Sequence, residues 1–153
     1  MTTRPSGIRA LHRDPGALTL VLVGGALGTA ARYGCERAWP AASGQWPWAT
    51  FMINVSGAFL LGVLLQGLSG AGTDTGSRRR ARLLVGSGFC GAFTTYSTFA
   101  LETVNLGRSG GSAAAAVMYP LASVAAGLLA AFLGIVFGHR ISGALSGRSE
   151  GAR

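Results

Sequence analysis

Charged residues cut the chain into four long uncharged windows. Pro15 to Ala31 lies between Asp14 and Arg32, and Ala38 to Thr73 between Arg37 and Asp74. Leu83 to Leu101 lies between Arg82 and Glu102, and Ser109 to His139 between Arg108 and Arg140. They hold 17, 36, 19 and 31 residues. A helix that crosses a bilayer needs about 17–25 mostly apolar residues, so each window carries one crossing. The pattern predicts an all-α membrane protein with four transmembrane helices, at about 17–36, 47–68, 82–105 and 112–138. Arg32 and Glu36 fall inside the first, so its end must emerge into an interface or an aqueous vestibule. The first window also has the outline of a secretory signal: Arg4, Arg9 and Arg13, an apolar core from Leu18 to Ala26, then small residues at 28–30. Its glycine spacing gives it a packing role, and it is read as a retained span. The connections are short. One runs from Trp39 to Trp46, two rings suited to the membrane–water interface. The others are the Gly/Ser/Thr-rich 69–77 and the turn at 107–112.

Composition supports this reading. Hydrophobic residues make up 49% and charged residues only 12% of the 153, too little charge to cover a soluble domain and too much apolar content for disorder. The net charge is +8, carried by 13 arginines and no lysine against five acids. With four spans, ten arginines fall on one side: Arg4, Arg9, Arg13, Arg78, Arg79, Arg80, Arg82, Arg140, Arg148 and Arg153. Arg37 and Arg108 fall on the other, with Arg32 just inside the first span. This bias predicts a plasma-membrane protein with both termini in the cytoplasm. It divides the chain into a cytoplasmic tail at 1–14, a membrane domain at 15–141 and a second tail at 142–153. The 78–82 cluster reads as a stop signal against anionic lipid. A nucleic-acid role lacks both interleaved aromatics and a soluble scaffold.

Gly24 and Gly28, and Gly134 and Gly138, are spaced for close helix packing, and Gly57 and Gly62 fit the same purpose. The third span differs. Between Gly86 and Phe99, three glycines precede four hydroxyl residues and two aromatics, which predicts a helix broken in mid-membrane. Such backbone survives there only when buried in protein or lining a polar cavity. Residues 86–91 also match a dinucleotide-binding glycine pattern, but no strand–helix–strand unit surrounds them. Beyond the break, at about 100° per residue, Thr95, Thr98 and Glu102 share one stripe, with Tyr96 and Phe99 beside it. Hydroxyls bonded back to the backbone would explain a lone threonine. A stripe ending in a carboxyl beside paired aromatics points to a permeation path. Asn54 adds an amide to the second span, and Tyr119 and Ser123, one turn apart, add hydroxyls to the fourth. His12, His139, Cys35 and Cys90 show no metal or nucleophile spacing, so no enzyme is expected.

Three stretches, in order, carry a resemblance: 24–33 (GGALGTAARY), 50–57 (TFMINVSG) and 88–99 (GFCGAFTTYSTF) with Glu102. Together they resemble the fluoride channel family, called Fluc or CrcB. The resemblance implies subunits paired antiparallel, with two narrow pores that pass fluoride passively out of the cell and so protect against its toxicity. It implies that Asn54, Tyr96 and Phe99 line a pore, and that Ser97, Thr98, Glu102, Tyr119 and Ser123 form its polar track. It implies Arg32 in a vestibule, and a structural Na+ at the dimer centre on the carbonyls of Gly91 and Thr94. Tyr96 stands where the family pattern has Phe. Dual orientation of one sequence would need balanced flanking charge, so the arginine bias implies a related, oppositely oriented partner subunit. Two rivals remain at this point. One is a non-conducting subunit of a heterodimeric channel, a scaffold. The other is a small four-span multidrug exporter, whose essential acid would sit in a first span that here has none between Pro15 and Ala31.

Overall fold

A computed structural model describes residues 14–42, 44–69, 76–108 and 112–150, with side chains as far as 140. The predicted amino-terminal tail before Asp14, the 70–75 and 109–111 connections, residues 151–153 and the side chains of Arg148 and Arg153 lie outside the described residues. The described backbone is all helical: α1 (Pro15–Ala38), α2 (Trp48–Ser69), α3 (Gly76–Ala81), a π-helical segment (Arg82–Cys90), α4 (Gly91–Phe93), α5 (Ser97–Arg108) and α6 (Ala113–Glu150). In lipid a chain must satisfy its own peptide groups, and a continuous helix does so. Accordingly α1, α2 and α6 are long and apolar enough to cross a membrane. The third predicted span is the bent composite from α3 to α5. The fourth helix runs beyond its predicted end near residue 138 to Glu150. No proline stops it there, and Pro120 lies inside it.

Local signals set the ends of α1. Asp14 accepts a hydrogen bond from Ala17 N at 3.2 Å, and Pro15 opens the helix where no N–H is needed. At the far end Trp39 N–H returns to the Cys35 carbonyl. Asp14 also takes Arg79 Nη1 at 2.9 Å, tying the start of α1 to α3.

The helices associate in two glycine-mediated pairs. α1 lies on the π-helical segment, and α2 lies on α6. In the first pair, a Cβ at Gly24 would overlap the Leu84 carbonyl, and one at Gly28 the Phe89 carbonyl. A Cβ at Gly88 would come within 2.9 Å of Gly24 Cα. In the second pair, a Cβ at Gly62 would overlap the Ala131 carbonyl, and one at Gly134 the Phe59 carbonyl. A Cβ at Gly138 would stand 2.8 Å from the Val63 carbonyl. Lipid provides no hydrophobic force between helices, so this backbone contact supplies van der Waals packing instead.

The break lies later in the chain than the glycines do. Gly86 and Gly88 sit in the π-helical segment and Gly91 begins α4. The chain turns extended at Thr94, φ −74° and ψ 155°, and resumes as helix at Ser97. Gly88 serves close approach to α1. Gly57 is likewise a space-maker, since a Cβ there would overlap the Thr94 side chain.

Two outcomes follow from this packing. Gly62→Ala should destabilise the detergent-solubilised protein by about 1–3 kcal/mol, the usual cost of overpacking, seen as earlier thermal unfolding. Gly67→Ala on the same helix meets nothing within 4 Å and should leave unfolding unchanged or slightly later. The Asp14 carboxyl is held below its usual range, first by the Ala17 N–H and then by Arg79. A depressed carboxyl stabilises the fold above its unfolded-state value, and the gain is lost as pH falls through the lower folded value. Asp14→Asn should therefore unfold earlier than wild type at neutral pH, with the gap closing in acid.

Candidate functional site

The site is built around the interruption at 94–96. Thr95 is nonhelical in the middle of the protein, and both of its peptide groups are taken up by one side chain from α2. Asn54 Oδ1 accepts from Thr95 N at 2.9 Å, and Asn54 Nδ2 donates to the Thr95 carbonyl at 3.0 Å. A primary amide offers an acceptor beside donors, so it can mimic a peptide partner. Thr94 turns back on the preceding helix, its N–H and Oγ1 both donating to the Cys90 carbonyl at 3.1 and 2.9 Å. The Thr94 carbonyl accepts from Arg32 Nη1 at 3.4 Å. Thr95 Oγ1 caps α5 by accepting from Thr98 N at 3.2 Å, and donates to Thr98 Oγ1 at 3.0 Å. The Tyr96 carbonyl accepts from Ala100 N, the first bond of the resumed helix.

One helical turn from Asn54, Thr50 serves the second polar centre. Thr50 Oγ1 donates to Glu102 Oε1 at 2.9 Å, and the Tyr119 hydroxyl donates to Glu102 Oε2 at 3.0 Å. Thr50 is 1% exposed and Tyr119 is fully buried. Three elements, α2, α5 and α6, thus converge on one carboxyl. Glu102 also lines a cavity of about 180 Å³ with Gln45, Pro47 and Asn105.

An aromatic series joins this centre to the break. The Tyr96 and Phe99 ring centroids are 6.2 Å apart, Phe99 and Tyr119 5.3 Å, and Tyr119 and Trp46 5.2 Å at 89°. On the break side, a second cavity of about 300 Å³ is lined by Asn54, Thr94, Thr95, Tyr96, Phe99 and Ser123. The Ser123 hydroxyl is buried and has no hydrogen-bond partner. Tyr96 is 81% exposed.

The sequence-derived site residues therefore divide. Asn54, Tyr96, Phe99 and Ser123 meet at one cavity. Glu102 lines the other cavity, and Tyr119, which lines neither, bonds Glu102 and packs on the Phe99 ring. Ser97 and Thr98 line neither cavity and sit at the start of α5, against Thr95. Thr95 faces back to cap the helix, so the stripe expected from helical periodicity begins only at Thr98; the chain there is not helical. Arg32 reaches inward to the Thr94 carbonyl, with Glu36 3.9 Å away. Gly91 and Thr94 flank the break. The Thr95 N–H that an unbroken helix would give to the Gly91 carbonyl goes to Asn54 instead. Sequence reasoning missed Thr50 and Glu36. Thr50 stands one turn before Asn54, a polar i, i+4 pair in an otherwise apolar run, and that spacing was the available signal.

Apolar spans packed around a broken helix, with an amide, hydroxyls and a carboxyl gathered at the break, define a class: a small multi-pass membrane transport protein. Residues 19–135 match the family model described as CrcB-like protein, camphor resistance. The chain is 44% identical over 123 residues to fluoride-specific ion channel FluC 1 of Cutibacterium acnes, covering 80% of this chain and 85% of that one. It is 47% identical over 115 residues to fluoride-specific ion channel FluC 2 of Rhodococcus jostii, covering 75% and 92%. It is 42% identical over 130 residues to fluoride-specific ion channel FluC of Thermus thermophilus, covering 84% and 94%. The chain belongs to this CrcB/FluC family of fluoride-specific ion channels, whose members are not enzymes.

Loss of the Asn54 amide leaves the Thr95 peptide unpaired, at a cost of about 1–3 kcal/mol. In Asn54→Ala, the Thr95 amide should exchange its hydrogen at least about tenfold faster by mass-spectrometric hydrogen exchange. Amides in α2 and α6 away from the break should be unchanged.

Proposed function

We propose that this chain is a fluoride channel subunit that passes F− passively out of the cell. The observation that carries this reading is the Phe99–Tyr119 ring pair: Phe99 walls one cavity, and Tyr119 donates to the Glu102 carboxyl that lines the other. Fluoride is small and strongly hydrated, so a narrow path must replace its water with donors. The Ser123 hydroxyl is an unpaired donor at the cavity beside the break, and Asn54 has one amide hydrogen beyond its bond to Thr95. Aromatic edges carry partial positive charge and can meet an anion between these donors. Ser97 and Thr98 hold their hydroxyls against Thr95 at the start of α5 and so support the track from behind. Arg32 raises the local concentration of anions near the break. Transit is downhill, driven by the fluoride gradient and the membrane potential, and needs no nucleotide.

Residues 15–141 form the membrane domain of this reading, with both termini cytoplasmic under the arginine bias. Tyr96, 81% exposed beside the cavity at the break, needs a further wall, which a second subunit supplies. Its orientation is opposite, and the charge bias favours a related chain over a second copy. Na+ at the dimer centre completes the assembly. The Gly91 carbonyl, relieved of its helical partner, and the Thr94 carbonyl, shared with Arg32, are its ligands in this chain. Hard carbonyl oxygens suit such an ion, and the remaining ligands come from the partner.

Fluoride efflux from liposomes tests this reading. The chain with its partner should release fluoride without a cation gradient, and Phe99→Ile should slow release at least about tenfold, equivalent to about 1.4 kcal/mol of barrier. No release by either form would mean a scaffold, and release that depends on a cation gradient would mean an exporter. Full efflux from the chain expressed alone would overturn the requirement for a partner of opposite charge bias.

A further inference from the structure

Among the described residues, two buried side-chain polar atoms have no hydrogen-bond partner: Ser123 Oγ and Trp46 Nε1. Ser123 belongs to the cavity beside the break. Trp46 lies in the α1–α2 connection, just before α2, where an interfacial tryptophan would ordinarily turn its N–H to water or headgroups. Its N–H is instead withdrawn from solvent. A desolvated donor with nothing to bond loses free energy that packing alone does not restore.

Trp46 itself lines neither cavity, but its surroundings tie it to both polar centres. The Trp46 ring meets Tyr119 edge to face at 5.2 Å and also touches Phe51 and Trp48. Tyr119 carries Glu102 on its hydroxyl and Phe99 against its ring. Both sequence neighbours of Trp46, Gln45 and Pro47, line the Glu102 cavity. The two unpaired donors are therefore linked through one residue: Ser123 is a helical turn beyond Tyr119, and Trp46 packs on the Tyr119 ring. An indole N–H donates and cannot accept. Among simple ions it recognises anions, and of the halides fluoride is the strongest hydrogen-bond acceptor.

We propose that Trp46 is a second anion-contacting residue of the permeation path, its indole N–H receiving dehydrated fluoride between the Glu102 cavity and the Phe99–Tyr119 pair. This rests on the fluoride-channel reading above.

The test is the indole N–H resonance of Trp46 in 15N-tryptophan-labelled channel in lipid nanodiscs. Trp39→Phe and Trp48→Phe, at exposed positions, identify the other two signals. NaF should move the Trp46 signal saturably, and equal NaCl should not. Trp46→Phe, which keeps the ring packing, should slow liposome fluoride efflux about tenfold, or about 1.4 kcal/mol of barrier. A signal that ignores NaF overturns the proposal, even if Trp46→Phe slows efflux, because that residue would then act only by packing. Unchanged efflux in a folded Trp46→Phe also overturns it. If that variant does not fold, the wild-type resonance decides. Absence of efflux from the wild-type assembly overturns the channel reading itself, whereas efflux with an unmoved Trp46 signal overturns only this step.

Discussion

A peptide group in the middle of a membrane protein cannot be left without a partner, and the Asn54–Thr95 pairing is how this chain meets that constraint. One amide side chain supplies both the acceptor and the donor that a continuous helix would have provided. The extended backbone at Thr94 depends on it. So does the fresh helix start at Ser97, and with it the positions of Phe99 and Glu102 on α5. The Thr95 hydroxyl completes the arrangement by capping α5, so the residue that breaks one helix begins the next.

The glycines do a different job. They bring α1 onto the π-helical segment and α2 onto α6, in both cases at backbone contact. The α2–α6 pair carries Thr50, Asn54, Tyr119 and Ser123, and so presents a rigid polar seam. α5 lies against that seam through Glu102, whose two oxygens take one donor from each helix. Arg32 supports the break from the other pair, through the Thr94 carbonyl. Two tight helix pairs and one bridged interruption thus hold the aromatic series in place.

Much of this was legible in the sequence. Three spans announced themselves because arginines and acids bound long apolar windows, and lipid leaves helices no other boundary signal as strong. The interruption was legible as a concentration of glycine and hydroxyl residues, but not its place. Gly88 looked like a helix breaker and is a contact point, a distinction that depends on what faces it across α1. Thr50 was silent because a single hydroxyl in an apolar helix so often bonds its own backbone, as Ser56 does here to the Met52 carbonyl. Arg32 was expected in a vestibule. The nonhelical carbonyl of Thr94 gives it an inward partner that no periodicity could reveal.

The convergence on Glu102 bears on how the chain is made. Synthesis delivers Asn54 and Thr50 first, the break and Glu102 next, and Tyr119 last. The interrupted segment can therefore find its amide partner as soon as it leaves the ribosome, sparing the insertion machinery a bare peptide bond. Glu102 has no such early completion. It enters with one donor, Thr50, and gains the second only when the final span arrives. The last helix is thus the one that closes the polar centre, and a nascent chain halted before Tyr119 would hold its carboxyl half-satisfied.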